Sequence, residues 1–208
     1  MNIKLSWQNI AAIAFVFFVA FGLLIMIIFG LKKDLEEAVE KNQKQQRLIE
    51  LSEFYSVQAH KIWGGKSGRC SIGLIQSVDT LVVQYGQERV TTETVLAIMT
   101  IESGFNERAK SSTNAYGLMQ LVISTAKSHE KNVTPNDLYQ PVTNIRIGIK
   151  EFARLVGKFE GNKELALLGY NRGPAGAMSF ALNDVSKDDY VRKVIANNYR
   201  IAQAMKNM

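Results

Sequence analysis

Thiols and imidazoles are scarce in this 208-residue sequence. A single cysteine, Cys70, excludes an internal disulfide framework and a thiolate zinc cluster. Two histidines, His60 and His129, exclude most His-rich metal sites, and His129 beside Glu130 lacks metal-ligand spacing. No cofactor and no metal is expected. Aromatic and basic residues do not interleave in a stripe, so the excess of 25 Lys and Arg over 19 Asp and Glu (net +6) does not read as a nucleic-acid surface. It suits an anionic polymer or membrane surface instead. No internal repeat is visible. With 47% hydrophobic and 21% charged residues, wholesale disorder is excluded.

Residues 10–31 contain no charged or polar side chain. As a helix these 22 residues reach about 33 Å, enough to cross a hydrocarbon core of about 30 Å. Five of the ten phenylalanines lie there: Phe15, Phe17, Phe18, Phe21 and Phe29. A cleaved signal peptide is the other reading. The run is long for that, and it ends in Gly30-Leu31-Lys32-Lys33 without a small-x-small site. Lys4 on one side and Lys32 and Lys33 on the other leave orientation undecided by charge. We therefore expect residues 1–9 to be a cytoplasmic N-terminus and 10–31 a transmembrane helix.

Residues 32–62 are polar and free of Gly and Pro. They read as a solvated helical stalk or, alternatively, as a coiled coil that joins two copies, although three clean heptads are missing. Gly64-Gly65-Lys66-Ser67-Gly68 is the one Gly/Ser-rich joint; His60 stands where a P-loop would need its first glycine. The stalk and linker span 32–69 and the globular domain 70–208.

That domain reads as nearly all helix. Leu74, Val78, Leu81, Val82 and Tyr85 keep helical spacing up to Gly86; Val95, Ile98 and Met99 follow a Thr91 or Thr92 cap and end at Gly104. A short helix is expected near 122–128. Ile145, Ile149, Phe152, Val156 and Phe159 form a stripe, 163–170 a helix stopped by Gly173-Pro174, and Val191, Val194, Ile195, Asn198, Ile201 and Met205 the last helix. Residues 109–120 are too polar for helix and suit a short hairpin.

Glu102 stands out because it continues the stripe of Val95, Ile98 and Met99 at i+7, i+4 and i+3. Partial desolvation there favours the neutral acid, and the carbonyl end of the helix acts in the same direction. Positions i−4 and i−3 are Ile98 and Met99, so no helical cation neutralises it. A carboxylic acid that keeps its proton near neutral pH is what a general acid requires. On spacing alone the alternative stays open: a helix-end glutamate that reaches water or pairs with a distant arginine. No second carboxylate is expected beside it, since Glu107 follows the Gly104 break in a polar loop.

Four motifs then fall in order. Ile101-Glu102-Ser103-Gly104-Phe105-Asn106 is followed by Ser111, by Ala115-Tyr116-Gly117-Leu118-Met119-Gln120 and by Thr125-Ala126. Pro141 with Asn144-Ile145 and Gly148 comes next, then Tyr170-Asn171-Arg172-Gly173-Pro174 and finally Tyr190-Val191. The series resembles the signature of the soluble-type lytic transglycosylases, over roughly residues 82–199. Asn114, Ile123 and Gln140 stand where that pattern usually has Gly, Pro and Asp, and Val122 where some members have a substrate-contacting Met.

The resemblance implies a mainly α, goose-type lysozyme-like domain with a small β-hairpin. It implies that Glu102 is the single acid and base. Ser103, Ser111, Gln120, Tyr170 and Asn171 would bind the glycan, and Gly117, Leu118, Met119 and Tyr190 would shape the cleft. The implied reaction cleaves peptidoglycan between N-acetylmuramic acid and N-acetylglucosamine and leaves 1,6-anhydro ends. The implied partners are glycan strands and the bacterial inner membrane, with the domain facing the periplasm or wall. Proteins of an envelope machine or phage particle, or a second copy through the stalk, are further partners compatible with this reading; a hydrolytic muramidase or a glycan-binding structural component are the competing functions.

Overall fold

Helix α1, Trp7–Trp63, carries the apolar run and the polar segment after it without a break. The computed structural model describes residues 7–63, 70–180 and 185–206, and the Gly64–Gly68 joint lies outside the described residues. The chain divides into two compact units, Met1–Gln46 and Arg47–Met208. In the first unit, Phe15, Val16, Phe17 and Phe18 are exposed by 66%, 65%, 70% and 77%. Successive residues point about 100° apart, so this helix is apolar all round rather than on one face. Lys32–Glu36 and Lys33–Glu37, at 3.8 Å each, are exposed one-turn pairs that contribute little.

In the second unit Leu48 is buried in the core, and Arg47 pairs with Glu93. Ser71 caps α2 (Ile72–Tyr85) by accepting from the Leu74 N–H. Thr91 caps α3 (Thr92–Ser103) by accepting from the Thr94 N–H. Every residue of α3 from Thr92 to Thr100 is buried, with α2 and α7 (Asp189–Lys206) packed against it. Val191, Val194 and Ile201 of α7 face the core, whereas Ile195 of the expected stripe is 40% exposed. Helix α5 (Pro141–Lys158) lies between α2 and α6 (Lys163–Met178) and buries Ile145, Ile149, Phe152 and Val156.

The polar stretch does form a hairpin, shifted toward its C-terminal end. Strands β1 (Ala115–Tyr116) and β2 (Leu121–Val122) pair antiparallel, Ala115 with Val122 and Tyr116 with Leu121. Helix α4 (Ile123–His129) follows directly. Leu121, Ala126, Val133, Leu138 and Ile147 make a small second core beneath the hairpin. Tyr170 packs against both cores.

The sequence departures have local consequences. Asn114 adopts φ 58°, a left-handed conformation that glycine takes freely and asparagine tolerates. Gln140 occupies the N-cap of α5 and makes no side-chain cap, while Pro141 starts the helix with a fixed φ.

Candidate active site

Glu102 sits half-buried in the last turn of α3. Its Oε1 accepts a 2.8 Å hydrogen bond from the Tyr190 hydroxyl, which the first turn of α7 presents. Burial pushes the carboxyl pKa up to about 7, against the opposing pull of the Tyr190 bond. No cation pairs with it among the described residues. Tyr190 is held well above its ordinary pKa by burial and by the Glu102 charge. It therefore stays a donor.

A cavity of about 310 Å³ opens beside this carboxyl, and it is lined by Glu102, Ser111, Gln120, Tyr170 and Asn171. Five residues separated by up to 69 positions in the chain thus share one cleft. Gln120 donates its amide to the Ala109 and Gly117 carbonyls at 3.2 and 3.0 Å, which leaves its side-chain oxygen for a ligand. Tyr170 donates to the Met119 carbonyl at 2.9 Å and meets Phe152 edge-on at 6.2 Å. Ser111 accepts from the Ala115 N–H at 3.0 Å and bonds Thr113 at 2.9 Å.

The remaining expected site residues lie behind this lining. Ser103 does not face the cavity: its hydroxyl lies 2.7 Å from the Leu118 carbonyl and 3.2 Å from that of Met99, tying α3 to the hairpin loop. Leu118 and Met119 are buried in the main core. Gly117, at φ 74°, has no room for a side chain, because a Cβ there would meet the Leu138 carbonyl at 2.2 Å and Asn144 at 2.4 Å.

Asn144 is the organising residue that the motif contained without a stated role. Fully buried on α5, it donates to the Tyr116 and Leu138 carbonyls at 2.8 Å each and accepts from the Met119 N–H at 2.7 Å. Gly148, one turn on, lies directly under Met119, whose sulfur would be 2.3 Å from an added Cβ. The spacing Asn-x-x-x-Gly is thus one helical face made to receive the 117–120 loop.

The His129 ring is mostly buried, with Nε2 2.8 Å from Glu151 Oε2. Two expectations are corrected. Gly173 and Pro174 kink α6 instead of ending it: Gly173 takes φ 77°, ψ 157°, and the helix resumes to Met178. A second carboxylate does border the cavity, and it is Glu151. The signal lay in an acid one helical turn from the apolar Ile147 and Leu155, on a face of α5 beside the stripe. Beyond the cleft, Arg172 joins the buried Asp188 at 2.7 Å and lies over Phe180 at 4.9 Å, bracing α6 against the start of α7.

Residues 83–192, just over half of the chain, match the family model described as the transglycosylase SLT domain. The chain belongs to this family. The SLT domain is 38% identical over 92 residues to the peptidoglycan transglycosylase of Escherichia phage T7, covering 43% of this chain and 7% of that protein. It is 32% identical over 102 residues to the soluble lytic murein transglycosylase of Salmonella typhimurium, covering 46% and 16%. Among solved structures, the lytic transglycosylase Slt of Pseudomonas aeruginosa, crystallised as an inactive mutant, superposes with a TM-score of 0.53. That match has 25% identity and covers 61% of this chain and 24% of the other. The Escherichia coli 70 kDa soluble lytic transglycosylase gives 0.51 at 24% identity, with the same coverage, and supports the fold. The chain thus spans less than a fifth of the length of these two sequence relatives. The lysozyme-like fold with its small hairpin is as expected from the sequence.

Proposed function

We propose that the SLT domain is a peptidoglycan lytic transglycosylase and that Glu102 is its one acid and base. The observation that carries this reading is a carboxyl with its pKa raised to about 7, aimed by Tyr190 into a cleft whose other walls supply Gln120, Tyr170 and Asn171. Protonated Glu102 gives its proton to the glycosidic oxygen as the bond between N-acetylmuramic acid and N-acetylglucosamine breaks. The muramyl N-acetyl group stabilises the positive centre, as in substrate-assisted glycosidases. Ionised Glu102 then takes the proton of the muramyl C6 hydroxyl, whose oxygen closes the 1,6-anhydro ring. Water is not consumed, and a tethered hydroxyl has a large advantage over a free nucleophile. Ser111 and Asn171 serve as glycan contacts, and Ser103 as a positioning residue through Leu118.

One observation favours a second reading, a hydrolytic muramidase: Glu151 offers a second carboxylate in the same cleft. Its chemistry argues against the role of base. Burial raises its pKa, but hydrogen bonds and charge from Arg154 and His129 outweigh that, and the result lies below the usual glutamate range. A carboxylate of low proton affinity activates water poorly. Digestion of purified peptidoglycan in ¹⁸O-enriched water separates the two. The transglycosylase yields unlabelled anhydro-muropeptides; labelled reducing ends would identify the muramidase and overturn the first reading.

The proposed placement follows from substrate. Residues 10–31 anchor the chain in the bacterial inner membrane, residues 32–69 form the stalk and linker, and residues 70–208 act on glycan strands on the periplasmic or wall side.

A further inference from the structure

Glu151 is 7% exposed, and a buried charge is costly unless it is paired. Arg154 donates to both of its oxygens, NH2 to Oε1 at 2.7 Å and Nε to Oε2 at 2.8 Å. An ionised carboxylate only accepts, so His129 Nε2 carries a hydrogen and donates to Oε2 at 2.8 Å. Three of the roughly four acceptor directions are thereby filled, and one on Oε1 has no partner among the described residues.

Docking α4 onto α5 does not require this cluster. Glu130, at the end of α4, already takes a two-pronged bond from Arg146 at 2.9 and 2.8 Å and a third from Lys150 at 3.3 Å. The Glu151 cluster is a second tie between the same elements, and it differs in one respect: Glu151 is among the residues that line the cavity holding Glu102, together with Val122, Thr125 and Tyr170. None of Glu130, Arg146 and Lys150 lines that cavity. A fixed, oriented acceptor facing a cleft is suited to a neutral donor, and the hydroxyl and acetamido N–H groups of an amino sugar are such donors. Arg154 balances the charge, so the cluster does not demand a cationic ligand.

Resting on the transglycosylase reading, we infer that Glu151, clamped by Arg154 and His129, is a glycan-contacting residue that accepts a hydrogen bond from a hydroxyl or acetamido N–H of a sugar seated in the cleft. It selects position and identity of the sugar and takes no part in proton transfer at the scissile bond.

The test is direct binding by the full chain carrying Glu102→Gln, which cannot turn substrate over. The probe is the β-1,4-linked tetramer of N-acetylglucosamine, titrated calorimetrically so that stoichiometry reports the folded fraction. Adding Glu151→Gln removes the charge. Adding Glu151→Asp keeps the charge and withdraws the oxygens from the cleft by one methylene. Both variants are expected to weaken binding about tenfold or more, and Glu151→Asp to do so with a melting midpoint close to that of the parent. Binding within twofold of the parent per folded molecule, in either variant, would overturn the inference and leave Glu151 a structural tie. Failure of the parent itself to bind the tetramer would instead strike the transglycosylase reading, and this inference with it.

Discussion

Two opposing effects set the proton affinity of Glu102: burial raises it, and the Tyr190 hydroxyl lowers it. Each can be removed separately. Glu102→Gln keeps an acceptor for Tyr190 and deletes the proton, so activity should fall by ~10²–10⁴-fold or more with the fold intact. The same change has a pH-dependent effect on stability. Because the folded pKa of about 7 exceeds the ordinary 4.5, the wild-type carboxyl favours the folded state fully below pH 4.5 and loses that contribution as pH rises through 7. The variant should therefore gain much more in melting midpoint relative to wild type at pH 8 than at pH 5. An equal midpoint difference at both values would show that Glu102 titrates normally. Tyr190→Phe removes the only donor on the carboxyl among the described residues and favours its neutral form. The alkaline limb of the rate profile should move up by about one pH unit, since one unit corresponds to ~1.4 kcal/mol and a hydrogen bond to a charged group contributes slightly more. An unmoved limb with a lower plateau would reduce Tyr190 to a packing role.

Helix and loop elements converge on the 117–120 segment, and Asn144 is where that convergence is fixed. Asn144→Ala would leave the Met119 N–H and the Tyr116 and Leu138 carbonyls without their partner, at roughly 1–3 kcal/mol for each buried group. We expect a loss of stability on the order of 3 kcal/mol or more. Activity should fall as well, because the Met119 carbonyl holds Tyr170. Denaturant unfolding that shows less than about 1 kcal/mol would contradict this account. The longer helices of the domain were legible in the sequence, because they have a 3.6-residue apolar period, and α3 also has a cap in Thr91 and a glycine end in Gly104. Glu102 was legible for the same reason: it interrupts such a period at a helix end. Glu151 lies off the stripe of α5, one turn from Ile147 and Leu155, and was passed over, because its place in the cleft lining depends on how α4 and α5 pack. The bonds of Asn144 and the burial of His129 also escaped, since their partners other than Leu138 lie 22 to 28 residues away and only tertiary packing brings them together. The kink at Gly173 looked like an end because a Gly-Pro pair marks both, and the packing of Ala177 after it supplies the difference.

At the scale of the whole molecule, composition and proposed chemistry make a common demand on location. A helix whose consecutive residues Phe15, Val16, Phe17 and Phe18 all lie open to the surroundings has no single face that a soluble core could cover. Its most apolar window has a mean hydropathy of 2.6, and none of that window is buried. A hydrocarbon core satisfies all its faces at once, and the intrahelical hydrogen bonds of α1 leave no backbone group to desolvate there. The charges flanking residues 10–31 do not choose an orientation, but a transglycosylase can reach peptidoglycan only from outside the inner membrane. In that proposed placement residues 32–208, with a net charge of +5 once Lys4 is set aside, would face an anionic wall. The expected outcome is retention in the inner-membrane fraction, with the catalytic domain degraded when protease is added to intact spheroplasts. The N-terminus of the retained chain should still precede residue 10. A domain protected until the spheroplasts are lysed would place it in the cytoplasm, away from its proposed substrate. A mature chain starting after residue 22 would make the apolar run a cleaved leader, and the polar helix from Lys32 onward would then have to account for any membrane association by itself.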